Sequence, residues 1–118
     1  MLPSEHRMRR SADFARTVRD GARAGRRSLV VHLARGADGG PVVGFVVPRS
    51  VGGAVTRNRV KRRLRVLVRA QLASFGPDES LVVRALPAAA GSTFELLGSD
   101  LEGAVRTARR KAGASDGS

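Results

Sequence analysis

The chain has 118 residues, 42% of them hydrophobic and none of them cysteine, which predicts one globular domain and excludes disulfides and thiolate metal sites. No run of about 20 apolar residues could span a bilayer and the amino terminus lacks a signal-peptide apolar segment, so we expect a cytoplasmic protein. The excess of 22 basic over 10 acidic residues, a formal net charge of +12, indicates a polyanionic partner, most commonly a nucleic acid.

The first half of the chain predicts an arm, a helix and two strands. Residues 1–10 are polar and basic and are expected to form a flexible arm, and residues 11–21 a short helix capped by its first serine. Residues 29–33 are rich in β-formers and predict a strand, and the glycine-rich residues 35–41 predict a turn of the hairpin kind. The strand over residues 42–47 is apolar on both faces, which is typical of a central strand.

The second half predicts two helices separated by a strand. A helix begins at about Ala54 or Thr56 and ends at Ser74, and a strand follows over residues 80–85. Residues 92–95, Ser-Thr-Phe-Glu, match a capping box for a last helix, and the end of the chain, residues 111–118, is expected to be a flexible tail. Apolar stripes at helical spacing predict the buried faces of the two helices: Val60, Leu64, Leu67, Val68 and Gln71, then Phe94, Leu97, Leu101, Val105 and Ala108.

The order of these elements indicates the fold class. A helix, two or three strands, a helix, a strand and a helix predict an α+β fold, an α/β two-layer sandwich with a small mixed sheet, in a single domain over residues 1–118.

Residues that could carry catalysis are few and scattered. His6 and His32 are far apart in the sequence, and the acids occur singly except for Asp78 and Glu79. The basic region shows no set of carboxylates that could hold Mg²⁺, and the chain has no nucleophile elbow or phosphate-binding glycine loop. The sequence therefore predicts no catalytic residue and no metal site on the polypeptide.

The positive charge is concentrated in the middle of the chain. Residues 39–77 carry a net charge of +8 and no acid, compared with +5 for residues 1–38 and −1 for residues 78–118. We therefore expect the middle segment to bind the polyanion with help from the amino-terminal third, and the carboxy-terminal third to serve as scaffold.

Six of the nine residues from Arg57 to Arg65 are cations, at the start of an amphipathic helix. Like charges at this density repel by about 0.2–0.5 kcal/mol for each i, i+4 pair, and the positive end of the helix dipole adds to the repulsion. Folding alone does not favour this arrangement, whereas an external phosphate would relieve it. We expect RNA or DNA at this helix, with a solvated basic face as the alternative. Asn58 either caps the helix or donates to sugar or phosphate.

Residues 52–62, Gly-Gly-Ala-Val-Thr-Arg-Asn-Arg-Val-Lys-Arg, resemble the signature of the bacterial ribonuclease P protein family, Gly-x-Ala-Val-x-Arg-Asn-Arg-x-Lys-Arg, at every fixed position. Residues 7–14, Arg-x-Arg-Arg-Ser-x-Asp-Phe, resemble the amino-terminal segment of that family, and the similarity covers approximately residues 5–110. The resemblance implies a left-handed crossover at the basic helix, against the right-handed default.

The same resemblance implies a division of labour with RNA. The catalytic RNA cleaves the 5′ leader from precursor tRNA with Mg²⁺ that the RNA mainly holds, and the polypeptide assists without binding a cofactor tightly. The expected partners are this RNA and precursor tRNA, with no membrane and no obligate protein partner. The positions expected to bind the RNA subunit are Arg49, Arg57, Asn58, Arg59, Lys61, Arg62 and Arg65.

The resemblance also implies a cleft between the first helix and the sheet that holds the single-stranded leader. Family members often carry a second aromatic residue and a tyrosine where this chain has Val18 and His32, so fewer aromatic contacts to the leader are expected. Phe14 either stacks on a leader base or packs in the core. The positions that correspond to this cleft are Arg7, Phe14, Val18, Arg27, Val30 and His32.

Two other functions fit the basic helix less well. One is a different small RNA-binding protein, such as a ribosomal protein, that uses the same device. The other is a membrane-surface protein, which the absence of tryptophan from the helix disfavours.

Overall fold

The computed structural model describes Met8 and residues 11–36 and 41–116. Three helices and four strands form the domain, joined by 3₁₀ turns over Arg49–Val51, Leu72–Ser74 and Pro87–Gly91. In chain order they are α1 (Ser11–Asp20), β1 (Ala22–Gly25), β2 (Leu29–Ala34), β3 (Val42–Val46), α2 (Ala54–Gln71), β4 (Ser80–Ala85) and α3 (Phe94–Asp116).

The four strands form one mixed sheet in the order β1-β2-β4-β3. β1 pairs with β2 and β2 with β4 in antiparallel fashion, whereas β3 and β4 are parallel. The predicted α+β class and mixed sheet are confirmed. Parallel neighbours need a crossover, and α2 provides it between β3 and β4. The left-handedness of this crossover connection stays a prediction.

The predicted hairpin between β2 and β3 is wrong, because β4 lies between these two strands. The prediction that β3 is central is also wrong, because β3 forms an edge of the sheet. The strand is apolar on both faces for a different reason. Val43 packs into the main core, and Gly44, on the opposite face, is covered by Phe14 and Met8.

Met8 is the one described residue of the predicted flexible arm. Its side chain is buried, and its backbone N–H donates to the carbonyl of Val43 at 2.8 Å. This bond uses an acceptor that an edge strand otherwise leaves unpaired. The rest of the arm, including Arg7, lies outside the described residues.

The strand β1 was not predicted as a separate element, because Ala-Arg-Ala-Gly contains no β-branched or aromatic residue. It forms by pairing all four residues with β2, and Ala24 packs into the core. Tertiary pairing therefore overrides a weak local preference.

The main core lies between one face of the sheet and the helices α2 and α3. Val60, Leu64 and Val68 of α2 are buried there, as are most residues of the predicted α3 stripe. Phe94 is an exception, because it begins α3 and remains 38% exposed. The helix α1 packs on the opposite face of the sheet, where Thr17 bonds to Ser80. Among the described residues, no helix is long and apolar enough to cross a membrane.

The start of α3 differs by one residue from the predicted capping box. The hydroxyl of Thr93 accepts the backbone N–H of Leu96 at 3.1 Å, so Thr93 is the N-cap. Ser92 instead donates its hydroxyl to the carbonyl of Ala88 at 2.8 Å, within the preceding 3₁₀ turn. At the other end, α3 continues to Asp116, through most of the predicted flexible tail.

Thr93→Ala is expected to lower the free energy of unfolding by about 1 kcal/mol, because one N–H of the first turn loses its acceptor. Thr93→Ser keeps the oxygen and should retain most of the stability. Urea denaturation of both variants measures the difference. A larger loss for Ser92→Ala than for Thr93→Ala would show that the cap is assigned to the wrong residue.

Candidate nucleic-acid interface

The helix α2 starts without a side-chain cap. Gly53 occupies the N-cap position, and Arg57 donates its backbone N–H to the carbonyl of Gly53 at 2.9 Å. Asn58 lies in the second turn of the helix and is exposed. It therefore does not cap α2, and of the two roles predicted for it only donation to a ligand remains.

Two arginines of α2 hold the helix to the segment before α3. Arg59 donates to the carbonyl of Ala90 and Arg63 to that of Ser92, each at 3.2 Å. Both side chains are half-buried, and Arg59 has a buried Nε without a hydrogen-bond partner. Arg59, predicted to bind phosphate, therefore also positions α2 within the fold.

The other basic side chains of α2 form a surface free of acids. Arg57, Lys61 and Arg65 lie four residues apart on one half-buried line, and Arg62 and Arg69 are exposed beside it. In the part of the chain that the structure describes, no carboxylate forms an ion pair with any of them. The basic α2 surface, as we name it, comprises Arg57, Asn58, Lys61, Arg62 and Arg65, with exposed Arg49 in the 3₁₀ turn just before the helix.

The helix α1 covers only part of its sheet face. The buried hydroxyl of Thr17 donates to the hydroxyl of Ser80 at 3.0 Å, and the ring of Phe14 packs on Gly44. A Cβ at position 44 would overlap the Phe14 ring, so the ring can lie here only because residue 44 is glycine. Phe14 is half-buried and also lines an open pocket of about 130 Å³ with Lys61 and Arg65.

Beyond α1, the same sheet face carries Val30 and His32 of β2 and Val82 of β4, which pairs with His32. All three residues are buried, and we call this surface the cleft face because the leader cleft was predicted here. Val18, 45% exposed, follows Phe14 by one helical turn on α1. The structure therefore brings four predicted cleft residues to one face: Phe14, Val18, Val30 and His32. Arg27 is exposed in the turn between β1 and β2.

Residues 2–109 match the sequence model of the Ribonuclease P family. The chain belongs to the ribonuclease P protein family. The ribonuclease P protein component of Kocuria rhizophila is 50% identical over 111 residues, which cover 94% of this chain and 98% of that protein. That of Streptomyces avermitilis is 50% identical over 115 residues, which cover 90% and 94% of the two chains. The family resemblance of the sequence is thus confirmed.

Solved structures of ribonuclease P proteins share the fold. A mutant of the Staphylococcus aureus protein, described as defective in mRNA degradation, superposes with a TM-score of 0.78 at 25% identity and covers 88% of each chain. The Thermotoga maritima protein superposes with a TM-score of 0.72 at 22% identity, covering 88% of this chain and 96% of its own.

Two cleft cations were not among the predicted ribonuclease P site residues. Arg23 of β1 pairs with His32, and Arg84 of β4 pairs with Val30, so both side chains share the cleft face. Arg84 could have been identified from the sequence, because it is the only charged residue of an apolar strand and alternates with core residues. Arg23 could not have been identified in this way, because β1 was not predicted as a strand.

The surroundings of His32 on the cleft face disfavour its charged form. Burial lowers the pKa of its imidazole, and the positive charges of Arg23 and Arg84 lower it further. The side chain is only 9% exposed, and its Nδ1 is buried without a hydrogen-bond partner. A proton on Nδ1 would therefore be buried without an acceptor, which opposes the charged form.

The stability of the protein is expected to depend on His32 between neutral and acidic pH. Because the pKa is lower in the folded than in the unfolded chain, the unfolded chain binds the proton first as the pH falls. The contribution of His32 to stability is therefore complete above about pH 6.5 and declines below it. The decline amounts to about 1.4 kcal/mol for each tenfold difference in proton affinity between the unfolded and the folded chain. Urea denaturation at several pH values should show a smaller decline for His32→Phe than for the unmodified chain; equal declines would contradict the prediction.

Proposed function

We propose that this chain is the RNA-binding subunit of ribonuclease P, which assists a catalytic RNA in removing the 5′ leader from precursor tRNA. Family membership over residues 2–109 supports the assignment. The observation that carries the mechanism is the basic α2 surface, whose cations have no described acidic partner. Such a surface is stabilised when phosphates neutralise it and release their counterions.

We infer that the RNA performs the cleavage. Among the described residues, no three acidic or histidine side chains lie together as Mg²⁺ ligands would. The Mg²⁺ that cleavage requires is therefore assigned to the RNA, and no step is assigned to a metal on the polypeptide. The contribution of the protein is positive charge, which lets a folded polyanion keep its structure with less Mg²⁺.

We further propose that the cleft beside α1 binds the leader. Its apolar floor and the half-exposed Phe14 suit unpaired bases, which stack on aromatic rings. The pocket shared by Phe14, Lys61 and Arg65 joins this cleft to the basic α2 surface. A single-stranded leader could therefore pass from the cleft to the basic α2 surface. A cytoplasmic location follows from the proposed RNA partners, and the proposal includes no membrane and no obligate protein partner.

Reconstitution with a ribonuclease P RNA tests this function. At low Mg²⁺, 5′ processing of precursor tRNA should require both components; at high Mg²⁺, the RNA alone should cleave slowly and the protein alone not at all. If about six phosphates are neutralised, affinity for the RNA should fall roughly 300- to 2,000-fold between about 50 and 200 mM salt. Cleavage by the purified polypeptide, lost on mutating one of its acids, would overturn the division of labour. Binding to ribosomes instead of this RNA would favour the ribosomal alternative.

A further inference from the structure

Two arginines lie on the cleft face of the sheet. Arg23 and Arg84 stand on the cleft face of β1 and β4, with the β2 strand between them. Both side chains are exposed, and neither guanidinium forms a hydrogen bond or ion pair with another described residue. Two cations without a counter-charge in the described part of the chain therefore face the same space.

The spacing of these two arginines suits one shared ligand. Across the sheet, the two arginines are separated by two strand spacings of about 4.8 Å each. Along the strands, they are offset by two residues, about 6.8 Å, so their Cα atoms lie about 12 Å apart. Two arginine side chains extended toward each other span this separation with room for one small anion. Between them lie His32 and Val30 of β2, so an anion bound by both arginines would lie above this strand.

We propose that Arg23 and Arg84 together hold one phosphodiester of the single-stranded leader, above His32. This inference rests on the proposed function and assigns to the leader a contact that the sequence did not reveal. Arginine suits the task because its planar group donates two parallel hydrogen bonds to phosphate oxygens. The single-stranded RNA would then be held at two places on the cleft face, by Phe14 above β3 and by this arginine pair above β2.

The electrostatics of His32 provide a second readout. The charged groups that act on it are Arg23 from β1 and Arg84 from β4, and both lower its pKa after burial does. From α1, Thr17 packs directly against the sheet and is uncharged. A phosphate between the two arginines would offset their charge, so the pKa of His32 should rise when the leader is bound. NMR of the imidazole in the holoenzyme with precursor tRNA, against mature tRNA, measures this rise.

The binding experiment uses the holoenzyme with precursor tRNA and with mature tRNA, which lacks the leader. Arg23→Gln and Arg84→Gln should each weaken precursor binding roughly tenfold and leave mature tRNA unchanged. The matched control is Arg110→Gln, the same charge change on α3, behind the opposite sheet face. Because one phosphate is shared, the double variant should lower the salt-dependence slope by about 0.7, not about 1.4 as for two separate phosphates.

A neutral methylphosphonate placed at successive leader linkages identifies the phosphate. At one linkage, the methylphosphonate should weaken binding of precursor tRNA to the unmodified holoenzyme. With that modified substrate, neither arginine variant should weaken binding any further. Two different linkages, one for each arginine, would overturn the shared site, and so would equal losses for precursor and mature tRNA. If the double variant keeps full leader-dependent affinity, this site alone is refuted. If the unmodified chain confers no such affinity, the proposed function fails with it.

Discussion

Lys61→Glu, Arg62→Glu and Arg65→Glu combined are expected to abolish assembly with ribonuclease P RNA while the chain keeps its fold. These three side chains are exposed or half-buried and form no hydrogen bond or ion pair with a described residue. Charge-assisted contacts contribute about 1.5–3 kcal/mol each, so losing three should weaken binding by roughly 10³-fold or more. Filter binding at low salt measures the affinity, and circular dichroism checks the fold.

The matched control carries the same charge change on the scaffold helix α3, at Arg106, Arg110 and Lys111. If α2 contacts the RNA directly, this control should lose much less affinity than the α2 variant. Equal losses would show that net charge, not the basic α2 surface, drives binding. Arg59 is left out because its bond to the Ala90 carbonyl holds α2 in place, and Arg59→Glu is expected to lower stability as well as affinity.

Phe14→Ala is expected to weaken binding of precursor tRNA to the holoenzyme by about 1–3 kcal/mol, the contribution of stacking one base on an aromatic ring. Binding of mature tRNA and of the RNA subunit should change little, since neither contains the leader. Phe14 is half-buried and lies outside the main core, so the variant should still fold. Equilibrium binding of the two tRNAs measures the selectivity.

Three further variants sharpen this test. Gly44→Val places side-chain atoms where the Phe14 ring now lies, so it should reproduce the loss of leader binding by displacing the ring. Phe94→Ala removes an exposed aromatic from α3 and should have no effect. Val18→Phe should tighten leader binding, because it adds a ring one helical turn after Phe14. Equal losses for precursor and mature tRNA in a folded Phe14→Ala protein would refute the assignment of the cleft.

Much of the interface could be predicted because its signals are local. The six cations from Arg57 to Arg65 stand on a helix whose apolar spacing is visible in the sequence, and α2 forms there as predicted. The exposure of Arg62 and the burial of Leu64 follow directly from helical periodicity. The role of Arg59 could not be predicted, because its acceptor is a carbonyl 31 residues away in the chain.

By itself, the sequence determined the existence of the helices, three of the four strands, the basic α2 surface and the family, since each depends on composition or on neighbours within a few residues. The tertiary structure alone decided the order of the strands, the edge position of β3, the pairing that creates β1, and the meeting of Arg23, His32 and Arg84 on one face. The physical reason is that strand pairing joins residues far apart in the chain, and its free energy comes from burying a whole sheet face, which no local pattern encodes.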